Sequence, residues 1–397
     1  AATRVDENGL VNYAEVIGDE EVTNGDFSNG INSWSLVGPG QETVVDEQLV
    51  LRNTGRVRQD NVVDTSKTYL GEITVSGVTS GSIDFYIGSS EKLTVSTNGT
   101  HTFTVINPNN STVYIYDNGD GWDGYIDNVS VKEVIRDNVP RIDYTGGGCP
   151  HILAEPQRTN IVFPSDIAVT QTRTVTAVAY ALSFYGTGSI VLSGTQSSTL
   201  TGTGDNDRVD LVFTPTAGSL VLTISGTVTN FQLEAGSYAT SLIPTVSGQV
   251  TRNQDIFTRD GIGSLINSTE GVLFVELSFS QSGRLSLTDS TGANQVVLGF
   301  ISSIFFRIVE AGSSVITESF SSASELNRIY KVAIKYKDGD SAIWVDGVEE
   351  VRTESFTLTG LSEIAFSSQG NTFYGKVKQL QVYDTALTDT QLAALTS

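Results

Sequence analysis

Apolar and polar residues alternate with a period of two along most of the chain. Between Tyr330 and Tyr336, the residues Tyr330, Val332, Ile334 and Tyr336 fall on one side, with Lys331 and Lys335 on the other. Successive side chains of a strand point to opposite faces of its sheet, so this run predicts a half-buried antiparallel strand. Lys337-Asp338-Gly339-Asp340 follows, then apolar Ala342-Ile343-Trp344-Val345, then Asp346-Gly347. Asp-Gly supplies the positive φ angles of a tight hairpin, so a three-strand meander is expected. Leu220, Leu222 and Ile224 alternate with Val221, Thr223 and Ser225 in the same way, and Ile83–Ile87 and Thr112–Tyr116 are further strands rich in β-branched and aromatic residues.

Helix signals are scarce. The best is terminal, where Thr388 precedes Gln391, Leu392 and Leu395. Thr388 suits the N-cap and Gln391 the reciprocal position of a capping box. The fold class expected is therefore all-β: several jelly-roll or β-sandwich modules with one short C-terminal helix. Residues 20–135, 164–244 and 245–397 read as three sandwiches. Residues 1–19 and 136–163 read as scaffold, the second of these rich in Pro and Gly. The closing strands Asn128–Val131, Asn230–Leu233 and Gln379–Val382 share a polar-apolar-polar-apolar reading, which fits repetition of fold type.

Composition narrows the function. Forty-five acids against 23 Lys and Arg give a formal charge of −22. A surface that binds nucleic acid needs a basic stripe, and an anionic membrane repels such a chain. No apolar run approaches the ~18–20 residues of a membrane-spanning helix. The single cysteine excludes an intrachain disulfide framework and a Cys-rich zinc site. The first residue is not Met, which predicts a processed chain or a fragment with sequence upstream.

Candidate chemistry concentrates in the first module. Asp117-Asn118-Gly119-Asp120-Gly121-Trp122-Asp123-Gly124 places three carboxylates, Asp117, Asp120 and Asp123, on a glycine-rich turn. That donor chemistry suits Ca²⁺, which takes six to eight oxygens, and it equally suits a solvated hairpin tip. Aromatic rings can stack on the apolar C–H faces of sugars. Trp122, in the turn, is the best exposed candidate, with Tyr86, Tyr114, Tyr116 and Tyr125 flanking it; for the strand tyrosines, sheet packing is the competing reading. Trp34 and Trp344 lie in alternating patterns and are expected in cores. Catalytic sets are missing. There is no Glu-x-Asp-x-x-Glu run of a laminarinase-type glucanase, no Gln-Ile-His of jelly-roll lyases, and no triad around His101 or His151. Cys149-Pro150-His151 offers two ligands, short of a zinc set, and reads with Gly146–Gly148 as a structural turn.

Four segments carry a resemblance. They are Ala2-Thr3-Arg4-Val5 with Gly9-Leu10; Pro140-Arg141-Ile142-Asp143-Tyr144; Leu153-Ala154-Glu155-Pro156-Gln157-Arg158-Thr159-Asn160; and Gln232-Leu233-Glu234 through Ala239-Thr240-Ser241-Leu242-Ile243-Pro244-Thr245. In this order they resemble motifs of bacteriophage tail-fibre and head-fibre proteins, with Ala154 in place of a usual Leu and Leu242 in place of a usual Tyr. That family keeps the first two motifs close, so residues 20–135 look like an inserted module. Through Asn24-Gly25-Asp26-Phe27, Trp34 and Tyr125–Val131 the insert resembles carbohydrate-binding modules of the jelly-roll type. These often hold a structural Ca²⁺ between an acid near the first strand and one in the last, matched here by Asp26 and Asp127. Through Asn267–Val275, Ile343–Gly347 and Gly375–Leu395 the last module resembles concanavalin-like, laminin-G-like lectin domains.

The resemblance implies a virion-surface appendage that binds host cell-surface polysaccharide, associates with other virion proteins and forms a homo-oligomer, a trimer in many phage fibres. A purely structural decoration protein and a polysaccharide depolymerase with unrecognised catalytic residues are the alternatives.

Overall fold

The computed structural model describes residues 3–117, 119–136, 139–145 and 149–397. The chain divides into two compact units. One runs from Glu15 to Val139; the other joins the segment ending at Ala14 to Pro140–Ser397. Both are built almost wholly from antiparallel strands, and the all-β, multi-sandwich architecture is found.

The Glu15–Val139 unit is a sandwich of two sheets. The five-stranded sheet runs Glu91–Val95, Ile83–Ile87, Val113–Asp117, Arg56–Gln59 and Ser35–Leu36. The six-stranded sheet contains Gly99–Ile106, Thr68–Ser80, Asp123–Ile135, Gln48–Arg52 and Gln41–Val45, with Val16–Glu20 added on Asp123–Ile135. Period-two alternation fills the space between them. Val57, Ile83, Phe85, Ile87, Val113 and Ile115 come from one sheet, and Leu49, Leu51, Tyr69, Ile73, Val75 and Ile126 from the other. Burying each such side chain stabilises the fold by about 1.5–3 kcal/mol. The Asn24–Phe27 segment closes one end of this core. Trp34 donates its indole N–H to the Asn24 carbonyl at 3.0 Å, and its ring lies 5.7 Å from that of Phe27. A Cβ on Gly25 would stand 1.9 Å from the Val129 carbonyl oxygen, so only glycine admits this approach.

The second unit has two further cores. The smaller is a sandwich of Gln171–Val175, Gly218–Ser225, Ser189–Gly194 and Ser198–Thr201 against Gly204–Phe213, Tyr180–Gly186 and Thr229–Ala235. Leu182, Phe184, Ile190, Leu220, Phe231 and Leu233 fill it. The larger has a seven-stranded sheet and a six-stranded sheet. His151–Ala154 pairs onto Gly375–Tyr383 and Arg141–Asp143 pairs onto His151–Ala154, so the segment expected as connector supplies two strands of the seven-stranded sheet. Asp346 and Gly347 both take positive φ, 49° and 81°, in the Asp-Gly hairpin. The helix Asp389–Thr396 starts at the Thr388/Gln391 capping box and seats Leu392 among Val272, Phe274, Ala333, Ala342 and Trp344. Among the described residues no helix is long and apolar enough to cross a membrane.

Candidate functional site

The outward face of the five-stranded sheet gathers the chemistry of the first unit. Ile83, Phe85 and Ile87 point into the core, which leaves Asp84 and Tyr86 on the other side of their strand. Val113 and Ile115 do the same for Tyr114 and Tyr116, and Val57 for Arg56 and Arg58. Register then aligns them. Tyr86 is directly opposite Tyr114 on one side and Lys92 on the other, while Tyr116 is opposite Asp84 and Arg56.

The result is a row across four strands. The Tyr86 and Tyr114 rings stack at 4.2 Å with 16° between their planes. The Arg56 guanidinium lies 4.1 Å from the Tyr114 ring centre, and the Lys92 ammonium 5.8 Å from that of Tyr86. Offset stacking and cation–π contact each contribute about 0.5–1.5 kcal/mol. Beneath Lys92, the buried Asp84 carboxylate accepts from Lys92 Nζ at 2.6 Å and from Thr94 Oγ1 at 2.6 Å. Burial and the neighbouring Tyr86 raise the Tyr114 phenol above its ordinary pKa, against the pull of Arg56, so it stays a neutral donor. The hydrogen bond to Asp84 raises that of Lys92. Tyr114 is 7 % accessible beneath Arg56 and Tyr86, so the row presents the half-buried Tyr86 and Tyr116 with two cations beside them.

The other aromatic candidates are placed elsewhere. Trp122 is not exposed as its turn position suggests. It is 3 % accessible and packs in the core with Ile126 and Val129, while its ring fills the space beside Gly124. The turn folds back over the end of the sandwich, and an indole is too apolar to be left outside. Tyr125 is exposed, but on the six-stranded sheet. Tyr86, Tyr114 and Tyr116 are the three that share a face.

The acidic candidates each hold protein donors. Asp117 accepts from the Gly119 and Thr54 amides, Asp120 from the Ser82 amide and hydroxyl, and Asp123 from Arg52 and Thr79. Asn118, between them, lies outside the described residues. Asp26 takes the Ser28 amide and hydroxyl, and Asp127 the Asn128 amide. Among the described residues no group of three or more His, Cys, Asp or Glu gathers as ligands. A calcium ion needs six to eight oxygens, more than the described carboxylates bring together at either place.

In the second unit the four motifs converge on one buried ionic network that sequence reasoning did not find. Arg141, 1 % accessible, donates to Glu155 at 2.6 Å, to Ser241 Oγ at 2.6 Å, to the Thr3 carbonyl and to Asp255. Arg252 pairs with Glu155 at 2.8 Å and donates to Ser241. Glu234 accepts from Thr240 and Gln232, and the Thr3 hydroxyl donates to the Leu242 carbonyl. Burial pushes the Glu155 carboxyl up, but Arg252, Arg141 and Ser241 outweigh it and hold it at about 2. Asp143 is likewise held well below its usual range: burial opposes, while bonds from His151, Thr145 and Val5 prevail. Cys149 is exposed and His151 is buried against Asp143 at 3.2 Å, so the two do not form a ligand pair; Gly146–Gly148 lie outside the described residues. Every cation and acid in this network is matched inside the protein, which marks it as a structural clamp.

No family model matches the sequence, and no curated protein sequence matches it. Solved structures with similar parts include a native heptameric SAP-like pentraxin from Limulus polyphemus, 17% identical over 34% of this chain and 72% of its own, with a TM-score of 0.29. Another is domain 4 of an extracellular arabinanase from Geobacillus stearothermophilus in complex with arabinotriose, 15% identical over 38% of this chain and 78% of its own, TM-score 0.29. A third is a homodimeric agglutinin from chicken liver, 10% identical over 32% of this chain and 99% of its own, TM-score 0.24. These neighbours are lectin and carbohydrate-binding β-sandwich folds.

Proposed function

We propose that this chain binds saccharide on the outward face of the five-stranded sheet, as the adhesive part of a bacteriophage virion appendage that contacts host surface polysaccharide. The observation that carries the binding reading is the Arg56–Tyr114–Tyr86–Lys92 row. It combines the half-buried edge and hydroxyl of Tyr86 with Arg56 and Lys92 as donors for sugar hydroxyls on a pre-formed sheet. The phage assignment rests on the four ordered motifs, whose residues are tied together in the Arg141–Glu155 network. Single saccharide contacts of this shallow kind are weak, and several copies on one particle raise the avidity without new contacts.

The test is binding of the full chain to host cells and to their purified polysaccharide, with Tyr86→Ala and Tyr114→Ala alongside the unaltered protein. Saturable binding that both substitutions weaken supports the reading. Equal binding by all three proteins removes the site, and no binding removes the adhesive role. Electron-microscopic density for this chain on an intact particle decides the virion assignment.

A further inference from the structure

The six-stranded sheet of the large sandwich carries a second polar constellation, far in sequence from the tyrosine row. Its strands Gly283–Thr288, Gln295–Phe300 and Ile304–Glu310 are consecutive neighbours inside the sheet. Leu285, Leu298, Phe306 and Ile308 point into the core, so Arg284, Gly299, Phe305 and Arg307 lie on the outward face. Arg284 is opposite Gly299, and Gly299 is opposite Phe305. A Cβ on Gly299 would come within 2.3 Å of the Phe305 ring, so the ring lies across the glycine toward Arg284. Both guanidiniums sit over that ring, at 5.7 and 5.5 Å from its centre.

Their polar partner is neutral. Arg284 Nη1 and Arg307 Nη1 both donate to Gln369 Oε1, at 3.3 and 3.1 Å. Gln369 sits at φ 49° in the turn between Ser367–Ser368 and Asn371–Thr372, and Ser368 anchors that turn through Gln295 Oε1 at 2.8 Å. Among the described residues neither arginine has a carboxylate partner, and the buried Arg307 Nε has no hydrogen-bond partner. Burial and the neighbouring Arg307 charge both lower the Arg284 pKa, the mark of two like charges held close without an anion. In a chain with 45 acids and 23 bases, two adjacent unpaired arginines stand out.

We propose that Arg284, Arg307 and Gln369 form a second saccharide site, which takes the carboxylate of an acidic sugar such as a uronate residue. A guanidinium presents a planar fork that matches a carboxylate, and here two forks share a single neutral acceptor. An extended acidic peptide would add as a strand at a free edge, whereas Gln295–Phe300 and Ile304–Glu310 are paired on both edges and Gly283–Thr288 is paired on its second edge over Ser286–Thr288. Recognition here must come from side chains, and the amide and guanidinium groups suit the hydroxyls beside a sugar carboxylate.

The full chain is titrated calorimetrically with an oligogalacturonate, a neutral galacto-oligosaccharide, a poly-glutamate peptide and sodium sulfate. The expected result is saturable uronate binding, weakened roughly tenfold or more in Arg284→Gln and in Arg307→Gln and strongly by added salt. Arg307→Lys, which keeps the charge and loses the fork, is expected to fall between the two. Lys337→Gln, at a surface cation paired with Glu270 outside both sites, is expected to leave it unchanged. The proposal is overturned by absent uronate binding, by equal binding in the arginine variants, or by neutral sugar, peptide or sulfate binding that the arginine substitutions weaken to the same degree.

Discussion

Tyr86 and Tyr114 face each other directly across neighbouring strands, with ring centres 4.2 Å apart and planes within 16° of parallel. Each ring holds the other upright, and a cation closes each end of the pair. Removing either ring leaves its partner free to tilt. Tyr86→Ala is expected to weaken saccharide binding about tenfold or more, about 1.4 kcal/mol. It should leave the melting midpoint within a few degrees, since Tyr86 is only half-buried. Calorimetry and thermal melting of the same sample separate the two effects.

All three tryptophans are buried: Trp34, Trp122 and Trp344 are 6, 3 and 7 % accessible. Their emission should therefore be blue-shifted in the folded chain and should not move when saccharide is added. A saccharide-dependent shift of the emission maximum would place a tryptophan in the site and refute the placement on the tyrosine row.

Glu155 is flanked by Arg141 and Arg252 in the interior. Glu155→Gln leaves Arg252 without a carboxylate and Arg141 with Asp255 alone, and removing one partner of a buried pair costs about 3–5 kcal/mol. Chemical denaturation of the full chain measures it.

The same carboxyl gives a pH dependence. Its pKa is depressed to about 2 in the folded chain, against about 4.3 for an unperturbed Glu. Its stabilisation is therefore fully present above the unfolded value and is lost as pH falls from there through the folded value; Asp143, also depressed, acts in the same direction. Denaturation midpoints should fall steeply below about pH 4. Glu155→Gln should flatten that fall, and an unchanged profile would count against the network as its source.

The carboxylates at Asp117, Asp120 and Asp123 are satisfied by protein donors. Melting with and without a calcium chelator should accordingly give the same midpoint. A drop of several degrees on chelation would restore calcium to this end of the sandwich.

The legible part of this molecule was local. The strand Tyr330–Lys337, the Asp346-Gly347 turn and the Thr388 cap each depend on neighbours a few residues away and form as the sequence predicts. The strand is not half-buried, however: Ala333 packs with Leu392 of the C-terminal helix and Lys335 is 4 % accessible. The tyrosine face was half legible. Alternation puts Tyr114 and Tyr116 on one side of their strand, but only pairing reveals that Arg56 and Lys92 complete the row. Trp122 misled because its turn looked solvated, while the path of the chain carries the ring inward. The Arg141 network was illegible because its partners stand up to 138 residues away, and a sequence shows charged residues without showing which of them meet.

The segment that ends at Ala14 belongs with Pro140–Ser397, while Glu15–Val139 forms a unit of its own between them. During synthesis the hairpin of Thr3–Val5 with Val11–Tyr13 leaves the ribosome long before the distant residues it bonds to. Thr3 bonds to the Leu242 carbonyl, and Val5 to Asp143. The interrupting sandwich can close as soon as its own last strand emerges, whereas the opening hairpin waits until Asp143 and Leu242 have been made before it can dock. Residues that precede the interrupting sandwich in the chain thus reach their final contacts only after it is complete.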